Sequence, residues 1–245
     1  MFTRTMAMTL FSLSLLGAWQ WAGASGRISP LIIATPTQTV AAIVDNWRAL
    51  ASAFAITAYS ILVTIILTWT AGVAAGLWVG TGELRSMALS PILSSLFAIP
   101  LMVWYPLFVA WFGIGISSKV ALGFFGGVFP IALSGIAGAK MFEARYVHYC
   151  YSIGATRPQI FMKVLLPLAF PSIAAGLRIG TSIIVICVIF GEMVASTGGI
   201  GYWIAYNQAL FNTPRVYAGI ALSLLCVGAV DLILTKIERR FRPWQ

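Results

Sequence analysis

From Ala53 to Val79 the chain reads "AFAITAYSILVTIILTWTAGVAAGLWV", with no charged side chain anywhere in the run. Wound as a helix at 1.5 Å per residue it is about 40 Å long, more than the roughly 30 Å hydrocarbon core of a bilayer. Five further apolar runs, near 6–24, 88–112, 119–138, 170–195 and 216–236, are set apart by charged or Gly- and Pro-rich breaks. None shows the period-two alternation of a membrane barrel strand. Composition agrees, with 60% hydrophobic and 9% charged residues, where a soluble domain has about 25% charged. The fold expected is an all-α polytopic membrane protein of about six transmembrane helices. It forms a single domain over 1–245, with an N-terminal helix at 1–24 and a core from about 53 to 236.

The net charge of +9 does not mark a nucleic-acid binder, because the basic residues sit between the apolar runs and form no single block. Six spans starting from a cytoplasmic N-terminus put Arg4, Arg85, Lys140, Arg145, Arg157, Lys163, Arg178, Lys236, Arg239, Arg240 and Arg242 inside or at the inner boundary. Arg27, Arg48, Lys119 and Arg215 fall outside. That asymmetry is the positive-inside pattern, and it places both termini in the cytoplasm. Arg4 followed by an apolar run and Ala22-Gly23-Ala24 also has the form of a secretory signal; retention as a first span, anchored at the interface by Trp19 and Trp21, is the expectation carried forward. Cys150, Cys187 and Cys226 make no spaced motif, so free thiols and no metal site are expected.

Between these runs the sequence gives local signals. Thr39–Leu50 is expected to form a short amphipathic helix on the outer surface, and Tyr202–Phe211 another. Gly72, Gly76 and Gly80 lie at intervals of four on one helix face, which lets two backbones approach closely. Packing inside one subunit is the favoured use of that stripe, ahead of subunit dimerisation. Pro91, Pro100 and Pro106 interrupt the third run, so its freed carbonyls need protein or water beside them. Asp231 lies about a turn inside the inner boundary and is expected to reach Lys236 or a helix end. Glu238 and Arg242, four apart, can pair weakly.

Reactive chemistry is sparse. The chain has one histidine, no phosphate loop, no H-E-x-x-H and no Cys/His cluster, so catalysis by this chain is not expected. Glu192, near the outer end of the fifth run, is the acidic residue deepest in an apolar stretch. It either lines a path or fastens the "GEMVASTGGIG" turn through backbone amides, the second use being slightly favoured. Ser94, Ser95, Trp104, Tyr105 and Glu192 are the candidate path residues, on the third and fifth runs.

The segment 140–167 is the exception to the apolar pattern. A helix running from Lys140 to Ile153 is broken at Gly154. Thr156 and Gln159 then form a capping box with Pro158 in the first turn, and Pro167 is expected to end that second short helix. Such a protrusion is either an inert loop or a docking knob.

"GATRPQIFMKVLLP" (Gly154–Pro167) resembles the second half of the E-A-A-x-x-x-G-x(9)-I-x-L-P signature of bacterial ABC importer permeases. His148, Tyr149 and Cys150 stand at its E-A-A positions; Glu143 is five residues out of register. "PLFVAWFGIGISSK" (Pro106–Lys119), "GEMVASTGGIGYWI" (Gly191–Ile204) and "DLILTKIERR" (Asp231–Arg240) are similar to the nitrate/sulfonate/taurine/bicarbonate branch.

The resemblance implies a type I importer fold with a cytoplasmic coupling helix, two ATPase subunits inside, a substrate-binding protein outside and a second permease copy, most often identical. ATP and magnesium would sit on the ATPase and no cofactor on this chain. His148, Tyr149, Cys150, Tyr151, Ser152, Gly154, Ala155 and Thr156 would form the coupling surface. The implied function is import of a small anion of the sulfonate, taurine, nitrate or bicarbonate type across a bacterial inner membrane. Import of a heteroaromatic metabolite such as a pyrimidine or riboflavin, and a passive channel, are the alternatives.

Overall fold

A computed structural model describes residues 2–141 and 149–240, with side chains placed for 6–141 and 149–236; no strand occurs among them. The helices are α1 (Phe2–Ala24), α2 (Pro36–Asp45), α3 (Trp47–Gly80), α4 (Glu83–Ala98), α5 (Leu101–Phe112), α6 (Ile116–Lys140), α7 (Arg157–Val194), α8 (Ile200–Ala209) and α9 (Thr213–Arg240). By length and composition α3, α6, α7 and α9 can each cross a membrane, and α4 with α5 makes a fifth, broken span. The six apolar runs of the sequence therefore resolve into these five and α1, whose 23 residues are long enough but diluted by Gln20 and by threonine and serine hydroxyls.

The third apolar run is not one helix. α4 and α5 meet at 89°, because Pro100 disfavours helical geometry at the residue before it and Ile99 is extended at φ −71°, ψ 131°. Pro91 and Pro106 lie inside α4 and α5, so of the three prolines it is Pro100 that makes the break.

The second departure is at Pro167, which does not end a helix. α7 runs unbroken through it for 38 residues. Just before the proline, Phe161–Leu165 forms a π-turn in which the Leu166 N–H donates to the Phe161 carbonyl, five residues back. Proline lacks the donor its turn would use and crowds the carbonyl four residues earlier. A widened turn at that place shifts the hydrogen-bond register and gives the ring room.

The chain folds as two compact units, Met1–Thr57 with Glu192–Cys226, and Ala58–Gly191 with Val227–Gln245. In the first, Thr35 caps α2 through a reciprocal box with Gln38 and Pro36 occupies the first turn, so this helix begins three residues before the expected Thr39 and ends at Asp45. Asn46 breaks the chain there and Trp47 starts α3. Trp19, expected only as an interfacial anchor, donates its indole N–H to the Ala34 carbonyl at 2.9 Å. Ala42, Leu50 and Ala218 form the core of this unit, with Ile43, Trp203 and Leu222 against them.

In the second unit the α3 glycine stripe faces α6. A Cβ at Gly72 would meet Ile131, one at Gly80 would meet Ile136 and Ala139, and one at Gly76 would stand 2.5 Å from the Ala132 carbonyl oxygen and 3.0 Å from the α-carbon of Gly135. The stripe is thus used for packing within the subunit. Beside it, Thr64 and Thr68 pack their methyls towards Gly123 and Gly127 of α6 and turn their hydroxyls onto the carbonyls four residues back. Gly76→Ala forces the α3 and α6 backbones apart and is expected to destabilise the protein by about 1–3 kcal/mol. Thermal unfolding of the purified protein in detergent reads this; an unchanged transition would mean the close backbone approach contributes nothing.

Candidate functional site

The described coupling candidates lie on helical residues 149–152 and on the four-residue elbow, 153–156, that joins them to α7. Gly154 has φ +80°, in the left-handed region where glycine is favoured. Its N–H donates to the Tyr151 carbonyl and the Ala155 N–H to the Cys150 carbonyl, which together form the Schellman closure of a helix C-terminus. Thr156 then opens α7 as its N-cap, its N–H donating to Gln159 Oε1 at 2.8 Å. Tyr149 is 65% and Ile153 67% exposed, and Tyr151 is also exposed, while Cys150 is buried beneath them. Ser152 and Thr156 are exposed and Ala155 is half-buried. The elbow thus presents aromatic and aliphatic side chains outward from a backbone fixed at both ends. His148, with Arg145, lies outside the described residues, as does the expected Glu238–Arg242 pair.

Glu192 is fully buried, near the C-terminal end of α7. Thr57 of α3 hydrogen-bonds its carboxylate, with Oγ1 at 2.8 Å from Oε2 and 3.0 Å from Oε1. The Gly201 N–H donates to Oε2 at 3.0 Å and the Ile200 N–H to Thr57 Oγ1 at 2.8 Å. These amides belong to the first turn of α8, where unpaired N–H groups favour an anion. Gly199, at φ +105°, is required twice over: by its backbone angle, and because a Cβ there would overlap the Glu192 carboxylate. A single carboxylate therefore ties α3, the end of α7 and the start of α8 together. Thr57 escaped the sequence reading, although its spacing with Ser60, Thr64 and Thr68, all fully buried, marks a hydroxyl stripe on one face of an apolar helix.

The remaining path candidates divide between buried and exposed settings. Tyr105 is buried and donates its hydroxyl to the Gly191 carbonyl at 2.6 Å. Trp104 packs against Phe125 with ring centroids 5.1 Å apart, and its buried indole N–H meets no acceptor among the described residues. Ser94 and Ser95, on α4, are exposed, and Ser94 turns its hydroxyl back to the Ser90 carbonyl. Asp231 pairs with neither Lys236 nor a helix end. It accepts from Arg178 Nη2 at 2.8 Å, joining α9 to α7. The sequence separation hid that partner. The three cysteines are free and buried.

Residues 70–243 match the family of binding-protein-dependent transport system inner membrane components. The chain is 29% identical to the taurine transport system permease protein TauC of Escherichia coli, over 99% of this chain and 91% of that protein. It is 31% identical to the formylaminopyrimidine transport permease protein ThiX of Halalkalibacterium halodurans, over 97% and 95% of the two chains. Among solved structures, an inward-facing conformation of the MetNI methionine ABC transporter superposes with a TM-score of 0.68 at 20% identity, covering 80% of this chain and 98% of that one. The last comparison is a likeness of fold.

Proposed function

This chain belongs to the family of binding-protein-dependent transport system inner membrane components, and from that premise we propose that it forms the translocation path of a bacterial ABC importer for a small anion of the sulfonate, taurine, nitrate or bicarbonate type. Its relative TauC is named for taurine, which supports the anionic class. Its relative ThiX is named for formylaminopyrimidine, which favours a heteroaromatic metabolite as the second reading.

The observation that carries the proposal is the elbow at Gly154. Tyr149, Tyr151 and Ile153 are exposed on a backbone held by a Schellman closure on one side and a capping box on the other. A surface of fixed shape with apolar anchors is what docking into a cleft requires, and an inert loop needs neither feature. A separate ATPase holds ATP and magnesium and receives this elbow. Movement of the elbow enters the membrane through α7, of which Thr156 is the N-cap. A binding protein delivers substrate from outside, a second permease copy completes the path, and both termini lie in the cytoplasm. Tyr105, Trp104 and Glu192, with Ser94 and Ser95, are the proposed path residues.

Co-purification tests the core of this reading. A nucleotide-binding subunit is expected to remain with the wild-type protein through detergent extraction, and to be lost when 148–156 are replaced by a Gly/Ser linker. If the protein conducts solute with no such partner, it is a passive channel and the importer reading fails.

A further inference from the structure

We infer that the π-turn at Phe161–Leu165 is a flexible joint, which lets the elbow stay seated in its cytoplasmic partner while the membrane body of α7 tilts. This rests on the permease reading and adds a moving part to it.

A proline alone does not demand such a turn. Pro91, Pro106 and Pro130 lie inside α4, α5 and α6, and Pro171 lies in α7 itself, one turn beyond Pro167. All four are taken up by ordinary α-helix. The widened turn therefore marks a place in the chain and not only the ring that follows it.

That place is a boundary in packing. Of residues 157–163 only Ile160 is buried, so the stem that carries the elbow is held to the bundle at one point. From Leu165 onward the helix is gripped. Leu165, Ala169 and Ile173 share a buried cluster with Leu77 and Ala139. A Cβ at Gly138 would stand 2.9 Å from the Ala169 carbonyl oxygen and 3.1 Å from its α-carbon. The α6 and α7 backbones touch there, which pins the body of α7 one turn after the joint.

Few hydrogen bonds cross the turn. The Leu166 N–H reaches five residues back to Phe161, and Pro167 has no N–H with which to make the α-helical bond to the Lys163 carbonyl. A π-turn beside a proline is where helices bend by about 20° or more. Gly154 lies nine residues from Lys163, so at about 1.5 Å per residue a swing of about 20° carries the elbow roughly 5 Å. Only the Ile160 contact has to slide. A regular α-helix across this boundary would be a stiff rod, and tilt of the body would lever the elbow out of its seat.

The test uses the permease with its nucleotide-binding partner in lipid nanodiscs, spin-labelled at Arg157→Cys and Ala175→Cys, two exposed positions on either side of the joint. Leu168→Cys with Ile186→Cys, also exposed, is a pair of equal span lying wholly beyond it. The wild type, whose three thiols are buried, is the labelling blank. Electron paramagnetic resonance is expected to show the 157–175 separation differing by about 3 Å between nucleotide-free and ATP-trapped complexes, the shift that a swing of about 20° gives a label about 8 Å from the helix axis. The 168–186 separation is expected to stay constant. In Pro167→Ala the regained N–H closes the helix, so the difference is expected to vanish and substrate-stimulated ATP hydrolysis to fall about tenfold, with the partner still bound. Pro171→Ala is expected to keep both the difference and the stimulation. A 157–175 separation equal in the two states, a matching change in 168–186, or a Pro167→Ala protein that couples as the wild type does would each overturn the inference. So would an equal loss in Pro171→Ala, which would mean that the joint is not what matters. Retention of the nucleotide-binding partner reads the permease reading separately: retained with a constant separation, the joint alone falls; lost from the wild type, both fall.

Discussion

Glu192→Ala is expected to be among the most damaging single substitutions in the protein, lowering its stability by about 3–5 kcal/mol through a buried void and a Gly201 N–H left without its acceptor, while the Thr57 hydroxyl falls back on the Ala53 carbonyl at 3.2 Å. The Gly201 N–H and the Thr57 hydroxyl both lose a carboxylate oxygen within 3.0 Å, at a site with no exposure to water. Glu192→Gln keeps the shape and one carbonyl oxygen but turns an amide donor towards groups that already donate. It is expected to cost about 1–2 kcal/mol, the range of one buried hydrogen bond mis-set. Thermal unfolding in detergent ranks the three proteins, and uptake by reconstituted vesicles shows whether transport falls in the same order. If the alanine variant melts with the wild type, the carboxylate does not hold the α7–α8 turn, and its burial needs another cause.

That clamp shows where the sequence was readable. A carboxylate in an apolar run stands out because placing it there is costly, and the glycines after it announce a turn, so fastening of the turn by Glu192 was legible in outline. Its partner was not, because Thr57 lies 135 residues away in a helix with several threonines and nothing local distinguishes it. The same limit hid Arg178 from Asp231, for which sequence proximity offered Lys236. Local chemistry read well where it acts locally: Gly154, the Thr156–Gln159 box and the Gly72–Gly76–Gly80 stripe are all found as expected, since each depends on residues within a turn or two.

The prolines divide along the same line. Pro100 breaks its span and Pro167 does not, though each lies in an apolar run. A proline's missing donor is a local fact, but whether the chain bends or widens a turn depends on what packs around it. Leu165, Ala169 and Ile173 form one buried cluster with Leu77 and Ala139, so α7 is held on both sides of Pro167. A kink there would tear that packing, and the π-turn accommodates the ring at lower cost.

Gly154→Pro is expected to abolish substrate-stimulated ATP hydrolysis in the reconstituted complex while leaving the chain folded in the membrane. Proline fixes φ near −65°, where the elbow needs +80°, and it removes the N–H that donates to Tyr151. Position 154 is otherwise open, since a Cβ there would meet no atom within 4 Å, so the damage is confined to the direction of the chain. Gly154→Asn separates conformation from mere substitution. Asparagine enters the left-handed region at small cost, and this variant is expected to keep stimulation within about twofold, a difference well under 1 kcal/mol. Thermal unfolding and extraction yield control for folding of both variants. Should the proline variant hydrolyse ATP as the wild type does, the elbow is not the surface that meets the ATPase. Should both variants fail alike, the site demands glycine for close approach of a partner backbone, and the left-handed angle is not what coupling depends on.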